Sequence, residues 1–236
     1  MIHYSFVPTL RSGSAILLMA MLAACGSLMT TTTPPPALYS LDSIHSEVTA
    51  AGAKSRRWRD GTSAPSLIVN PPHAAAGYDS QRIIYVREPH QIEYFAHSEW
   101  VDTPARMLVP LLVAAVEGSG AFRAVVATPS AATGKLRLDT EILRLQQDFG
   151  SRPSQVRFTL RAYVVDSTTR QVLAQREFDA TVPAAGDDPR SGVQAANRAV
   201  RKVLENLADF CSESADLWQA ATDSRSAGPA DSVNSR

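Results

Sequence analysis

Ten residues near the amino terminus, Ala15 to Ala24, are uncharged and apolar, and the run ends in small side chains. A helix needs about 20 such residues to cross a bilayer core, so this run is too short for a mature span. It fits the apolar segment of a secretory signal, with Arg11 and the amino terminus supplying positive charge ahead of it. Residues 1–24 are therefore expected to be removed, and the fold must be built from residue 25 onward. No second long apolar segment occurs downstream, so no membrane-crossing helix is expected after processing.

The four residues Leu22-Ala23-Ala24-Cys25 resemble the lipobox of bacterial lipoproteins. Small side chains let the backbone enter a peptidase groove, and a thiol is a nucleophile that can accept a lipid. The resemblance implies cleavage between Ala24 and Cys25, with Cys25 acylated (palmitate is among the expected chains) and residue one of the mature protein. Two plainer readings stay open here: an ordinary secretory signal followed by an incidental cysteine, and an uncut anchor.

Arg11 is the only Lys, Arg, Asp or Glu before Cys25, so of 23 basic and 23 acidic residues the processed chain keeps 22 and 23. That balance argues against nucleic acid as a partner and supplies no net charge for adhesion to anionic lipid. Attachment is expected through acyl chains, each buried CH₂ contributing about 0.8 kcal/mol and more than one chain being needed. The chain has two cysteines. With Cys25 lipidated, Cys211 has no partner, and it is expected to be a buried small hydrophobe. A little over 200 residues suit one domain with a substantial core.

Residues 25–36 read as a lipidated cysteine and flexible tether, Gly-Ser-Leu-Met-Thr-Thr-Thr-Thr-Pro-Pro-Pro after Cys25. Fully stretched, it reaches about 40 Å. A short strand is expected at Leu38–Asp42, then a polar loop over 45–65 with a basic cluster from Lys54 to Arg59. Ser66–Asn70 reads as a strand stopped by Pro71-Pro72, with a small-residue turn over 74–80. The runs 81–87 and 91–95, separated by Glu88-Pro89-His90, read as a hairpin. Asp102 or Thr103 can cap a helix opening at Pro104, with Met107, Leu108, Leu111, Leu112, Ala115 and Val116 at helical spacing. Pro110 sits awkwardly inside it. Phe122–Ala127 reads as a strand.

Three alternating runs, 135–146, 156–164 and 171–182, form an expected meander, with Val172, Ala174, Phe178 and Val182 facing one way and Leu173 an exception. A last amphipathic helix spans about 191–212. Asp187-Asp188 would complement its amino end. Residues 37–218 are assigned to one domain and 219–236 to a disordered tail. The fold class is α+β: a mixed, mainly antiparallel sheet with two amphipathic helices packed on one face, after a signal peptide and flexible tether.

No catalytic constellation stands out, and no cofactor is implied. His90 and His97 are seven apart, with no Cys or carboxylate cluster at metal spacing, so no metal site is assigned. There is no Gly-x-Ser-x-Gly elbow and no phosphate-cradling glycine loop. Glu88 beside His90 reads as a polar turn. The aromatic strip Tyr85, Tyr94, Phe95 and Trp100 is either core or a contact surface for a partner.

The order of several motifs carries a wider resemblance. Gly77-Tyr78-Asp79-Ser80-Gln81-Arg82-Ile83-Ile84-Tyr85 is followed by Gln91-Ile92-Glu93-Tyr94-Phe95-Ala96-His97-Ser98-Glu99-Trp100, and then by Gly118-Ser119-Gly120-Ala121-Phe122. With Tyr39-Ser40-Leu41-Asp42 and the lipobox, the chain resembles the ABC-type transport auxiliary lipoprotein family, over about Ala37 to Ala208. The resemblance implies a lipoprotein of the outer membrane facing the periplasm. It implies an MCE-domain protein and an ABC permease and ATPase as partners in lipid transport, no catalysis in this subunit, and it admits homo-oligomeric rings. Gly26 is not the Asp that retains lipoproteins in the inner membrane. A second reading stays open: a lipoprotein that assists peptidoglycan or lipopolysaccharide machinery.

Overall fold

The structure is a computed structural model and describes residues 34–41 and 64–226. The signal, Cys25, the rest of the tether, most of the basic loop and residues 227–236 lie outside the described residues.

A long strand, β7 (Leu136–Asp148), organises the sheet. One edge pairs along its full length with β8 (Gln155–Asp166), and β8 pairs with β9 (Val172–Pro183), both antiparallel. This is the expected meander. The other edge of β7 receives three short parallel segments in succession. They are β2 (Ser66–Val69), β3 (His73–Ala74) and β4 (Arg82–Val86). Residues 66–86 thus run beside β7 as one strand broken twice. The first break is chemical: Pro71 and Pro72 have no N–H to give the ladder. Asn70 N–H to Leu138 O (3.0 Å) and Ala75 N–H to Ile142 O (2.8 Å) carry the pairing across it. Ala74, expected in a turn, therefore lies in β3, a strand that local sequence does not announce.

Outside this set, β5 (Glu93–Trp100) pairs antiparallel with β4, and β1 (Ala37–Tyr39) pairs parallel with β5. On the far side, β6 (Ala124–Ala127) pairs parallel with β2. The sheet is mixed, and its longest ladders are antiparallel, as expected.

Two helices cover one face. The first, α1, is Pro104–Ser119 and buries Leu108, Leu111, Leu112 and Val116. Thr103 is its N-cap residue by geometry but makes no side-chain cap bond; Pro104 opens the first turn. Gly120 closes the helix at φ 66°, a left-handed conformation that favours glycine. The helix runs unbroken through Pro110, which lies on the exposed side, where water can satisfy the carbonyl it leaves unpaired.

The second helix, α2, is Pro189–Ser226, well past the expected end near 212. Residues 219–226, expected to belong to a disordered tail, are helical. Asp188 caps it: Oδ1 accepts from Ser191 N–H (2.9 Å) and Oδ2 from Ser191 Oγ–H (2.7 Å). These two bonds, the side-chain one first, hold the Asp188 carboxyl below its usual range. Asp187 accepts instead from Ser154 N–H at 3.2 Å, tying the start of β8 to the helix.

The core lies between helices and sheet. Leu136, Leu138 and Ile142 of β7, Phe158, Leu160 and Val164 of β8, and Val203, Leu204 and Leu207 of α2 are fully or almost fully buried. Cys211 is buried with them, as expected, and burial pushes its thiol up to about 12.

Two strand irregularities change the expected facing. In β7 the register shifts between Ile142 and Arg144, so buried positions switch from even numbers to Leu145 and Gln147. In β9, Leu173 is an extra residue between the pairs Val164–Ala174 and Val165–Val172. That bulge takes Val172 out of phase, and instead of sharing the face of the buried Phe178 it is 57% exposed.

The face away from the helices is polar. Arg161 bridges Glu141 and Glu177 (3.2 Å each), Arg157 meets Asp179 (3.0 Å) and Arg137 meets Asp139 (2.9 Å). Water screens such exposed pairs, so they contribute little to stability.

Candidate interaction surface

The β4–β5 hairpin carries the aromatic strip. Its tip closes with Gln91 N–H donating to Glu88 O (3.2 Å), and His90 takes the left-handed conformation at φ 69°. Glu88 and His90 thus build a turn. His97 lies within β5, and His73 in β3. Among the described residues, no group of three His, Cys, Asp or Glu side chains is placed to hold a metal ion.

The structure divides the strip. Trp100 is 3% exposed and belongs to the core under the helices. Phe95 is partly buried against that core. It joins Tyr85 and Phe149 in a three-ring cluster, with centroids 4.6, 5.6 and 6.4 Å apart. These are favourable aromatic spacings. Tyr94 is exposed, with the Arg82 guanidinium 4.9 Å from its ring centre. Phe149 carries no signal in the sequence, because only the β7 register shift and the turn after it bring it to this hairpin.

Polar groups frame the cluster. Tyr85 O–H donates to a Glu93 carboxylate oxygen at 2.9 Å, and Arg87 sits 5.0 Å from the Tyr85 ring centre and 3.8 Å from Glu93. The hydrogen bond to Glu93, more than burial, raises the Tyr85 phenol above its ordinary value. Ile92 and Tyr94 add exposed apolar area at this hairpin.

Beside the hairpin tip lies a groove of about 780 Å³, lined by Tyr78, Glu88, Ile92, Arg144, Gln146 and Arg157 among others. Tyr78 O–H donates to Gln146 Oε1. Burial raises the Tyr78 phenol, and Arg144 opposes that rise. The groove offers hydrogen bonds and charges of both signs. Together with the exposed Ile92 and Tyr94 it makes a surface suited to docking a protein segment.

A second feature lies beneath the amino end of α2. Gln147 Nε2 donates to Ser154 Oγ at 2.9 Å, while Gln147 Oε1 is buried without a partner. The adjoining cavity is about 10 Å³, lined by Ile83, Trp100, Gln147, Val156 and Gly192 among others, room for about one water.

The fold matches solved structures. A crystal structure of protein XCC0632 from Xanthomonas campestris is 24% identical, with a TM-score of 0.61, covering 72% of this chain and 92% of that one. A second crystal structure, of an uncharacterized protein, is 13% identical with a TM-score of 0.58, covering 75% of this chain and 99% of that one. These likenesses bear on the fold alone. No curated protein matches the chain. The family model of the ABC-type transport auxiliary lipoprotein component matches residues 39–208, from the last residue of β1 into the middle of α2. The chain therefore belongs to the family of ABC-type transport auxiliary lipoprotein components.

Proposed function

We propose that this protein is a non-catalytic subunit of an MCE-type ABC system that moves lipid between membranes. It is anchored in the outer membrane through acyl chains on Cys25 and faces the periplasm. One observation carries the reading: a lipobox-like Leu22-Ala23-Ala24-Cys25, followed by a tether, precedes a domain that matches the auxiliary family over 39–208. Energy comes from the ATPase of the transporter, and the folded domain contributes surfaces. The β4–β5 hairpin with its adjoining groove is the surface assigned to the transporter.

Two experiments test the reading. Gentle solubilisation of envelopes and capture of the tagged full chain should recover an MCE-domain protein and an ABC ATPase; recovery of neither overturns the partnership. Fatty-acid labelling should mark the wild-type chain and be absent from Cys25→Ala, whose signal stays uncut or is cut elsewhere. Unchanged labelling in that variant overturns the anchor.

A further inference from the structure

The charges of α2 are segregated along its length. Between Pro189 and Val203 it carries Arg190, Arg198, Arg201 and Lys202 and no acidic residue; between Leu204 and Ser224 it carries five acidic residues and no basic one. Helix stability does not account for this. A helix dipole favours acidic groups at the amino end and basic groups at the carboxyl end, and acts only within the end turns. The gradient runs the other way through the body of the helix, although Asp188 at the amino end and Arg225 in the last turn follow the dipole.

The basic half has a defined neighbour. Arg190, Gln194, Arg198 and Arg201 fall at i, i+4, i+8 and i+11, which places them on one stripe. The stripe lines a shallow groove of about 430 Å³ whose opposite wall is Leu38, Tyr39 and Ser40 of the β1 segment. Asn197 Nδ2–H reaches across to Ser40 O at 3.3 Å. Arg198 spends one N–H on Pro183 O (3.0 Å), Asp188 offsets part of the Arg190 charge, and Arg201 also engages a partner of its own, so the stripe offers headgroups the capacity its arginines have left. Leu38 is 62% exposed at the rim. The chain also leaves toward its amino terminus from β1. Only residues 26–36 separate Cys25 from Ala37, a span of at most about 40 Å when fully stretched.

We propose that this stripe, with Leu38, seats on anionic phospholipid headgroups of the leaflet that holds the acyl chains. The proposal rests on Cys25 being lipidated, which confines β1 to the neighbourhood of that surface. Charge complementarity then selects the basic half of α2 as the side that turns to the bilayer, and the acidic half points away. Each arginine near an anionic surface biases the orientation about fivefold, an effect that salt screens within a Debye length. Docking thus fixes the orientation of a domain that the acyl chains alone would leave free to turn.

The test uses the processed full chain in vesicles of phosphatidylcholine, with or without phosphatidylglycerol. A fluorophore is placed on Gln194→Cys or, separately, on Asp216→Cys; the buried Cys211 does not compete. Quenching by a headgroup-attached nitroxide is read. With phosphatidylglycerol, position 194 should be quenched at least about fivefold more than position 216, the bias of a single arginine being the lower bound. The ratio should fall toward one in phosphatidylcholine alone, in high salt, and in Arg198→Glu/Arg201→Glu. Equal quenching at the two positions with phosphatidylglycerol overturns the proposal. Intact mass reports the acyl chains separately. If they are absent, the anchor reading fails, and co-sedimentation of the unacylated chain decides this one: pelleting with phosphatidylglycerol vesicles but not with phosphatidylcholine upholds it, and no pelleting overturns it.

Discussion

Trp218 donates its indole N–H to Asp166 Oδ2 at 2.9 Å, joining the far half of α2 to the last residue of β8. Asp166 Oδ1 accepts from the backbone of Thr168 (2.7 Å) and Thr169 (2.9 Å), so one carboxylate both shapes the β8–β9 turn and docks the helix. Burial alone would raise this carboxyl, but the bonds from Thr169, Trp218 and Thr168 outweigh it and hold it below its usual range. Trp218→Phe keeps an aromatic ring and removes the donor. It should lower stability by about 1–3 kcal/mol, as expected when a buried acceptor loses its partner. Urea denaturation measures this; an unchanged midpoint would contradict the role given to the bond.

The same carboxylates set a pH dependence. Asp166 and Asp188 both have native pKa values below their unfolded ones. Their contribution is therefore fully present above the unfolded carboxylate value of about 3.9 and is lost as pH falls through the lower native values. Asp188→Ala should cost about 1 kcal/mol at neutral pH, typical of a lost cap. The gap between variant and wild type should close as pH drops below about 4. Denaturation midpoints across acidic pH test this, and a gap that widens would reverse the sign argued here.

Gly192 is required for space. It faces Gln147, and a Cβ there would overlap the Gln147 Oε1. Gly192→Ala displaces the Gln147 amide from its bond to Ser154, and with the helix-propensity gain of alanine set against that loss it should destabilise by about 1 kcal/mol. In Gly192→Ala/Gln147→Ala the clash is gone, and the coupling between the two sites should be favourable by at least about 0.5 kcal/mol. Additive single effects would show that the two side chains do not compete for the same space.

Cys211 offers a probe of folding. A thiol whose pKa is pushed up to about 12 and which is buried has almost no thiolate at neutral pH. Maleimide should leave it unmodified in the native protein and label it fully in denaturant, as read by mass spectrometry. Rapid labelling of the native protein at neutral pH would show that this part of α2 opens.

Ile92 and Tyr94 are exposed, so removing them should leave the fold nearly unchanged, within about 0.5 kcal/mol. Under the proposed function, Ile92→Ser/Tyr94→Ala should nonetheless reduce capture of the proposed MCE-domain partner several-fold, because exposed apolar and aromatic side chains are typical interface anchors. Unchanged capture would move the docking surface elsewhere.

Local pattern was enough for the meander, the hairpin, the first helix and the burial of Cys211. The first three rest on contacts near in sequence or on alternation over most of each run, and Cys211 on the apolar character of an unpaired thiol. The resemblance of Leu22-Ala23-Ala24-Cys25 to a lipobox is likewise read from local sequence alone, and the proposed anchor rests on it. Tertiary structure decided the rest. The chain from 66 to 86 became three parallel segments because β7 offers an edge to them, and two residues at 73–74 carry no strand signal of their own. The bulges at Ile142–Arg144 and Leu173 reversed the facing of the neighbouring strand residues, and an inserted residue in a ladder is invisible to a period-2 reading. Trp100 went to the core and Tyr94 to solvent although both are even-numbered residues of β5, because the β4–β5 register shifts between the pairs Ile84–Tyr94 and Arg82–Glu99. The extension of α2 to Ser226 depends on Trp218 finding Asp166, a partner 52 positions away in the chain.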